Sequence, residues 1–260
     1  MLVDSHCHLD FPGLIEDLDG VVARARAAGV GRMVTICTKL SEFERVLAVA
    51  GRFDDITCSV GLHPHEAGSE AAVAPERLVR LAQHPKVVGI GETGLDFYYE
   101  HSPREAQARQ FRSHIAAARR SGLPLIVHSR DADAEMTEIL TEEMEKGAFG
   151  GVMHCFSSGP ALARAALDLG LYLSLSGILT FKNADALREI ARAAPLDRLL
   201  VETDAPYLAP APLRGKQNEP AFVVHTAARL AALKGLSQAE VERATTANFE
   251  RLFSKAVPVG

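Results

Sequence analysis

Tryptophan is absent from the 260 residues, and tyrosine and cysteine occur only 4 times each. The cysteines, Cys7, Cys37, Cys58 and Cys155, form no Cys-x-x-Cys pair, and so few in a chain this long do not make a disulfide framework. They are expected as reduced thiols, which points to the cytoplasm. No run of about 18 apolar residues occurs, which argues against a membrane span. The opening MLVDSHCHLD has acids and histidines where a secretory signal needs a basic and then an apolar region, so export is not expected. A long basic stripe is also missing. Lys and Arg number 28 against 33 Asp and Glu, a net charge of -5, and the basic residues come in small groups such as Arg24/Arg26, Arg119/Arg120 and Arg214/Lys216. That excludes a groove tracking many phosphates and leaves contact with one nucleic-acid end.

What is present is a soluble globular composition, 47% hydrophobic and 23% charged. Eight short runs rich in Val, Ile and Leu read as parallel strands buried on both faces. They begin at Leu2, Met33, Ile56, Lys86, Pro124, Gly151, Leu171 and Leu199. Amphipathic segments between them, including Asp17–Ala28, Ser41–Gly51, Pro103–Ser121 and Ala161–Leu169, read as helices, with Gly29, Gly51, Gly122 and Gly170 placed to cap them. The segment from Tyr207 to Pro220 carries three prolines and reads as a long loop after the last strand. No linker divides the chain, so residues 1–260 are expected to form one (β/α)₈ barrel. A doubly wound sheet is the alternative, but it would gather its chemistry at one switch point.

The polar residues favour the barrel. His6 and His8 end the first run, where a spacing of two turns both rings to one side of a strand. His63 and His65 follow the third run, Glu92 the fourth, His128 the fifth, His154 the sixth and Asp204 the eighth. Six of the ten histidines, all but His84, His101, His114 and His225, therefore stand at strand ends, the barrel face that carries active sites. Imidazole mixed with carboxylate suits Zn²⁺ or Mn²⁺, while Mg²⁺ would lean on the carboxylates. His6, His8, His128 and His154 with Glu92 and Asp204 exceed the three or four ligands of a single catalytic zinc, so two ions sharing a carboxylate fit better. Such a centre suits hydrolysis by an activated water, with Asp204 as the base.

LVDSHCHLD, GETGLDFYY, PLIVHSRDAD, MHCFSS, VETDAPYLAP, RGKQNEP and TTANFERLF, in that order, resemble the signature segments of the TatD family of metal-dependent hydrolases and deoxyribonucleases. The resemblance implies a (β/α)₈ barrel, one or two divalent ions, and phosphodiester hydrolysis on DNA, often from 3′ ends. By motif, it implies His6, His8 and Asp204 as ligands of a first ion, Glu92 as the bridge, and His128 and His154 as ligands of a second. It also implies Asp204 as the catalytic acid/base. Where many relatives carry an acid after H-S-R-D-A-D this chain has Ala134, and Leu213 replaces a histidine before R-G-K.

For substrate, His63, His65, Arg130 and Arg214 are candidate phosphate contacts, and Tyr98, with Tyr99, a candidate base-stacking surface. Asp96 is expected to orient a ligand imidazole. Glu202 and Asn248 read as structural. The leading expectation is a metal-dependent deoxyribonuclease acting on DNA ends or small nucleic-acid fragments, without an obligate protein partner. The alternatives are an ester or amide hydrolase, such as a D-aminoacyl-tRNA deacylase, and a metal-binding barrel without turnover.

Overall fold

A computed structural model of the chain describes residues 1–69 and 72–256. Eight strands follow one another in a single parallel sheet, in the order β1-β2-β3-β4-β5-β6-β7-β8. They are β1 Leu2–Cys7, β2 Val30–Thr35, β3 Ile56–Val60, β4 Val87–Asp96, β5 Leu125–Arg130, β6 Gly151–Met153, β7 Tyr172–Leu175 and β8 Leu199–Val201. The last strand lies against the first: Asp204 N donates to His6 O at 2.9 Å and His8 N to Ala205 O at 2.8 Å. A sequential order that closes on itself is the barrel, and it excludes the doubly wound alternative, whose strand order reverses.

Between the strands run α1 Leu18–Ala27, α2 Phe43–Gly51, α3 Pro75–Leu81, α4 Arg104–Ser121, α5 Asp133–Lys146, α6 Pro160–Asp168 and α7 Asp185–Ala193. After β8 come α8 Val223–Lys234 and α9 Gln238–Leu252. Gly122 caps α4 in the left-handed region at φ 70°, as its position suggests. Gly51 does not cap α2; it is the helix's own last residue and Arg52 follows as the cap. The second strand begins at Val30 rather than Met33, because a parallel strand takes its start from pairing, and Leu2 pairs with Val30. As expected, no regular strand or long helix interrupts the proline-rich stretch after β8.

One apolar side chain from most strands points to the barrel axis. Val3, Val34, Val88, Ile126, Val152, Tyr172 and Leu200 form one buried cluster with Phe249 of α9 and Phe253 beyond it. Only an axial position lets so many strands share neighbours. The two phenyl rings stack at 4.9 Å and close the floor of the barrel, and burying each contributes about 2–3 kcal/mol. Two devices set α9 there. Ser237 and Glu240 form a capping box at its start, and Asn248 Nδ2 donates to Leu196 O and Leu199 O at 2.8 Å each, which bears out its structural reading. The opposite mouth, at the carboxyl ends of the strands, is left for the polar residues.

Candidate metal centre

Regular pairing breaks at the positions that matter for chemistry. The register of β1 with β2 shifts between Asp4 and Cys7, and that of β4 with β5 shifts between Ile90 and Thr93. Such irregularities re-aim side chains beside active sites, and these two bracket His6 and Glu92. At Gly94, φ is 144° and a Cβ would stand 2.0 Å from His128 O, so only glycine lets β4 lie this close to β5.

Glu92 is the hub. Its Oε1 lies 2.7 Å from His154 Nε2, 2.9 Å from His128 Nδ1 and 3.4 Å from His63 Nε2. On its other side Oε2 lies 3.4 Å from His6 Nε2. Asp204 Oδ1 faces the same end, 3.3 Å from His8 Nε2 and 3.7 Å from His6 Nε2. All six residues expected as metal ligands therefore converge, and Glu92 stands between the two sets the resemblance implies. Burial pushes the Glu92 carboxyl up, but the charge of His154 and hydrogen bonds from His128 and His154 outweigh it and hold the group well below its ordinary value. Asp204 is likewise held down, burial being outweighed by His8, His6 and His154.

The donor set fits divalent ions. Among the described residues His6 Nδ1, His6 Nε2 and His8 Nδ1 are buried without a hydrogen-bond partner, which is costly unless something else meets them. Ligand atoms of His6, His8 and Glu92 lie within 4.8 Å of one another, as do those of His63, Glu92 and His128, and those of His6, His154 and Glu202. Mixed imidazole and carboxylate at such spacing suits zinc or manganese.

Glu202 does not fit the purely structural reading. Its Oε1 accepts from Cys155 N at 2.7 Å and faces His154 Nδ1 at 3.3 Å, so it aims the Nε2 of that ring at Glu92. Because β8 ends at Val201, strand alternation no longer governs 202 and 204. The signal was the i, i+2 spacing of Glu202 and Asp204, which mirrors that of His6 and His8. Asp96 behaves as expected: Oδ2 lies 2.8 Å from His65 Nε2 and 3.2 Å from His128 Nε2. His63 accepts the backbone N–H of His65 on Nδ1 at 3.1 Å. Burial pushes its pKa down to about 4, so the neutral ring carries its proton on Nε2, toward Glu92. That makes His63 a hydrogen-bond donor to the centre.

The mouth above is a cavity of about 680 Å³ whose lining includes His63, His65, Tyr99 and Arg130. Tyr98 and Arg214 are not among its lining residues. Tyr98 packs instead under Arg130, whose Cζ is 4.1 Å from its ring centre and 4.6 Å from that of Tyr99. The Arg214 guanidinium lies 3.7 Å over the ring of Phe181. Among the described residues no helix is long and apolar enough to cross a membrane.

Comparison with known proteins agrees with this geometry. Residues 3–254 match the family model of TatD related DNase. The chain is 46% identical over 255 residues to YcfH of Escherichia coli (strain K12), named an uncharacterized metal-dependent hydrolase, covering 97% of this chain and 95% of that protein. It is 37% identical over 242 residues to a protein of Klebsiella pneumoniae (strain 342) named 3′-5′ ssDNA/RNA exonuclease TatD, covering 91% and 92%. The crystal structure of YJJV, a TatD homologue from Escherichia coli K12, superposes with a TM-score of 0.90 at 32% identity, covering 99% of this chain and 98% of that one. The ordered barrel, the histidine and carboxylate cluster at its mouth and the match along nearly the whole length lead to one conclusion: the chain belongs to the TatD family of metal-dependent hydrolases.

Proposed function

We propose that this chain is a phosphodiesterase that removes nucleotides from the 3′ ends of DNA. The observation that carries the reading is Glu92, a buried carboxylate with three imidazoles at one oxygen and His6 at the other, beside Asp204. His6, His8, Glu92 and Asp204 would hold one divalent ion, and Glu92, His128 and His154 a second. When bound, such ions lower the pKa of water toward neutrality and neutralise charge on the attacking and leaving oxygens.

The chain's own groups supply the rest. Glu92 stays ionised while buried, so it is available as a ligand without first losing a proton. Asp204, also ionised, accepts the proton of the attacking water on its carboxylate. Glu202 and Asp96 fix the rings of His154 and His128 through the nitrogens turned away from Glu92. Arg130 lines the cavity and meets no carboxylate among the described residues, so its guanidinium can reach a phosphate. The exonuclease name of the Klebsiella relative supports the choice of nucleic acid over other esters.

The test is hydrolysis of 3′-labelled single-stranded DNA, RNA and aminoacyl-tRNA with added Mn²⁺, Zn²⁺ or Mg²⁺, run beside Glu92→Ala and Asp204→Asn. Loss of DNA cleavage in both variants is expected. Equal activity in wild type and variants, or cleavage of the aminoacyl ester alone, would sink the proposal.

A further inference from the structure

Large apolar side chains are exposed at only a few places among the described residues. Besides Met1 they are Tyr98, Tyr99 and Tyr207, exposed by 57%, 49% and 54%. All three tyrosines surround the mouth of the barrel, and they fall on two sides of it. Tyr207 follows β8 and joins Phe11, which follows β1: the rings meet edge to face with centres 6.3 Å apart, and Phe11 stacks on His8 at 4.6 Å. Tyr99 follows β4 and stacks in parallel on His101, 5.4 Å and 5° away. In a closed ring of eight strands, the seam of β1 with β8 lies opposite β4 and β5. Phe11, Tyr99 and Tyr207 all line the cavity that holds Glu92 and Asp204.

Each ring is fastened to the centre by the same device, a turn that starts on a site residue and presents an aromatic three positions later. Phe11 N donates to His8 O at 3.1 Å and Tyr207 N to Asp204 O at 3.0 Å. Tyr99 N donates to Asp96 Oδ1 at 3.0 Å, the carboxylate whose other oxygen faces His65 and His128. Buried Asn218 holds the Tyr207 turn from behind, donating from Nδ2 to Thr203 O at 2.8 Å and to Tyr207 O at 2.5 Å. Rings held this firmly, yet left half in water, have no role in the core. They bury too little apolar surface to justify their exposure by stability.

We propose that these are two base-stacking subsites, Phe11 with Tyr207 on one side and Tyr99 with His101 on the other. They take the last two bases of an unpaired strand, with the phosphodiester between them lying over Glu92 and Asp204. The inference rests on the nuclease reading above and goes beyond it: it names the residues that select the substrate and the number of bases they grip. Every base has a π-face, so the grip is indifferent to sequence. Bases of a duplex are already stacked and paired, so the end must be single-stranded. Arg130, spread over Tyr98 and Tyr99, leaves its charge beside the strand at one of the two platforms.

The test uses the full-length, metal-loaded chain and short oligonucleotides whose last or penultimate nucleotide is abasic. Tyr99→Ala and Tyr207→Ala should each raise KM for intact single strands by about tenfold or more, with kcat little changed, and Tyr→Phe at either position should restore it. Removing one terminal base should erase the effect of one variant, and removing the other base that of the second. Because the chain has no Trp, its emission comes from 4 Tyr, of which only Tyr172 is buried away from the mouth. Because Tyr99 and Tyr207 are two of those four, mixing with a thymidine dinucleotide should quench about half of the emission before turnover. If oligonucleotides are cleaved with the same KM whether or not the bases or the rings are present, the stacking subsites are wrong and the nuclease reading stands. If the wild type cleaves no oligonucleotide, both fall.

Discussion

The carboxyl group of Asp4 accepts the backbone N–H of Thr203 at 2.9 Å and its hydroxyl as well, across 199 positions of sequence. It also accepts the N–H of His6 at 3.3 Å. One buried side chain on β1 thus ties the first histidine of the centre to the residue before Asp204, at the seam where the barrel closes. Asp4→Ala leaves buried donors on Thr203 unmet and should destabilise the fold by about 2–4 kcal/mol. It should also lower kcat by loosening Asp204, whereas Asp4→Asn, which keeps an acceptor oxygen, should do less of both. Urea denaturation beside steady-state kinetics separates the effects; an Ala variant as stable and as active as wild type would dismiss the clasp.

Glu202 holds the Nδ1 side of His154, and a partner in that position typically changes metal affinity by about 10- to 100-fold. Glu202→Gln should therefore weaken binding of Zn²⁺ or Mn²⁺ by about tenfold or more while leaving the folded state intact. Calorimetric titration of metal into the stripped protein reads this directly. Unchanged affinity would return Glu202 to a purely structural part.

His114 lies on α4 and supports the third strand's loop from behind. Its Nε2 accepts from Leu62 N at 3.0 Å while Nδ1 donates to Gln110 O at 2.7 Å, a pattern that requires the neutral ring. Burial pushes its pKa from 6.5 down to about 4. The folded state then binds this proton less readily than the unfolded chain. The contribution is complete above pH 6.5 and is lost as pH falls toward 4, reaching about 3 kcal/mol. Denaturation midpoints measured across that window should fall more steeply in wild type than in His114→Gln. Parallel pH profiles would show that another group carries the acid sensitivity.

The two arginines expected to grip phosphate are separated by where they sit. Arg130 lines the cavity, whereas Arg214 lies on Phe181 and donates to Ala209 O at 3.3 Å. Arg130→Ala should raise KM for DNA by about tenfold and flatten its salt dependence, since one phosphate contact is lost. Arg214→Ala should change KM far less. The reverse order would mean that the proline-rich loop folds over the cavity when substrate binds.

Much of the centre could be read along the chain because a barrel brings strand ends together in order. His6, His8, Glu92, His128, His154 and Asp204 each end or follow an apolar run, and any closed ring of those runs must bring them to one mouth. The reading faltered where the period of two stops applying. Glu202 passes for a strand residue facing away, yet β8 has already ended at Val201, and the chain turns so that Glu202 and Asp204 both reach the centre. Tyr98 and Tyr99 were indistinguishable as neighbours until the Asp96 turn put Tyr99 at the cavity and Tyr98 beneath Arg130.

The sequence by itself determined the class of fold and the kind of chemistry. The alternation of apolar runs with amphipathic segments admits few architectures, and ligand-type residues at the run ends admit few sites. What only the tertiary structure decided is which atom meets which. Glu92 stands between two sets of imidazoles because β4 breaks register with β5 between Ile90 and Thr93. Aromatic rings frame the mouth from opposite sides because β1 and β8 close the ring across from β4. Directions of side chains at loops and irregular strand ends depend on contacts between residues far apart in the chain, and no local pattern records them.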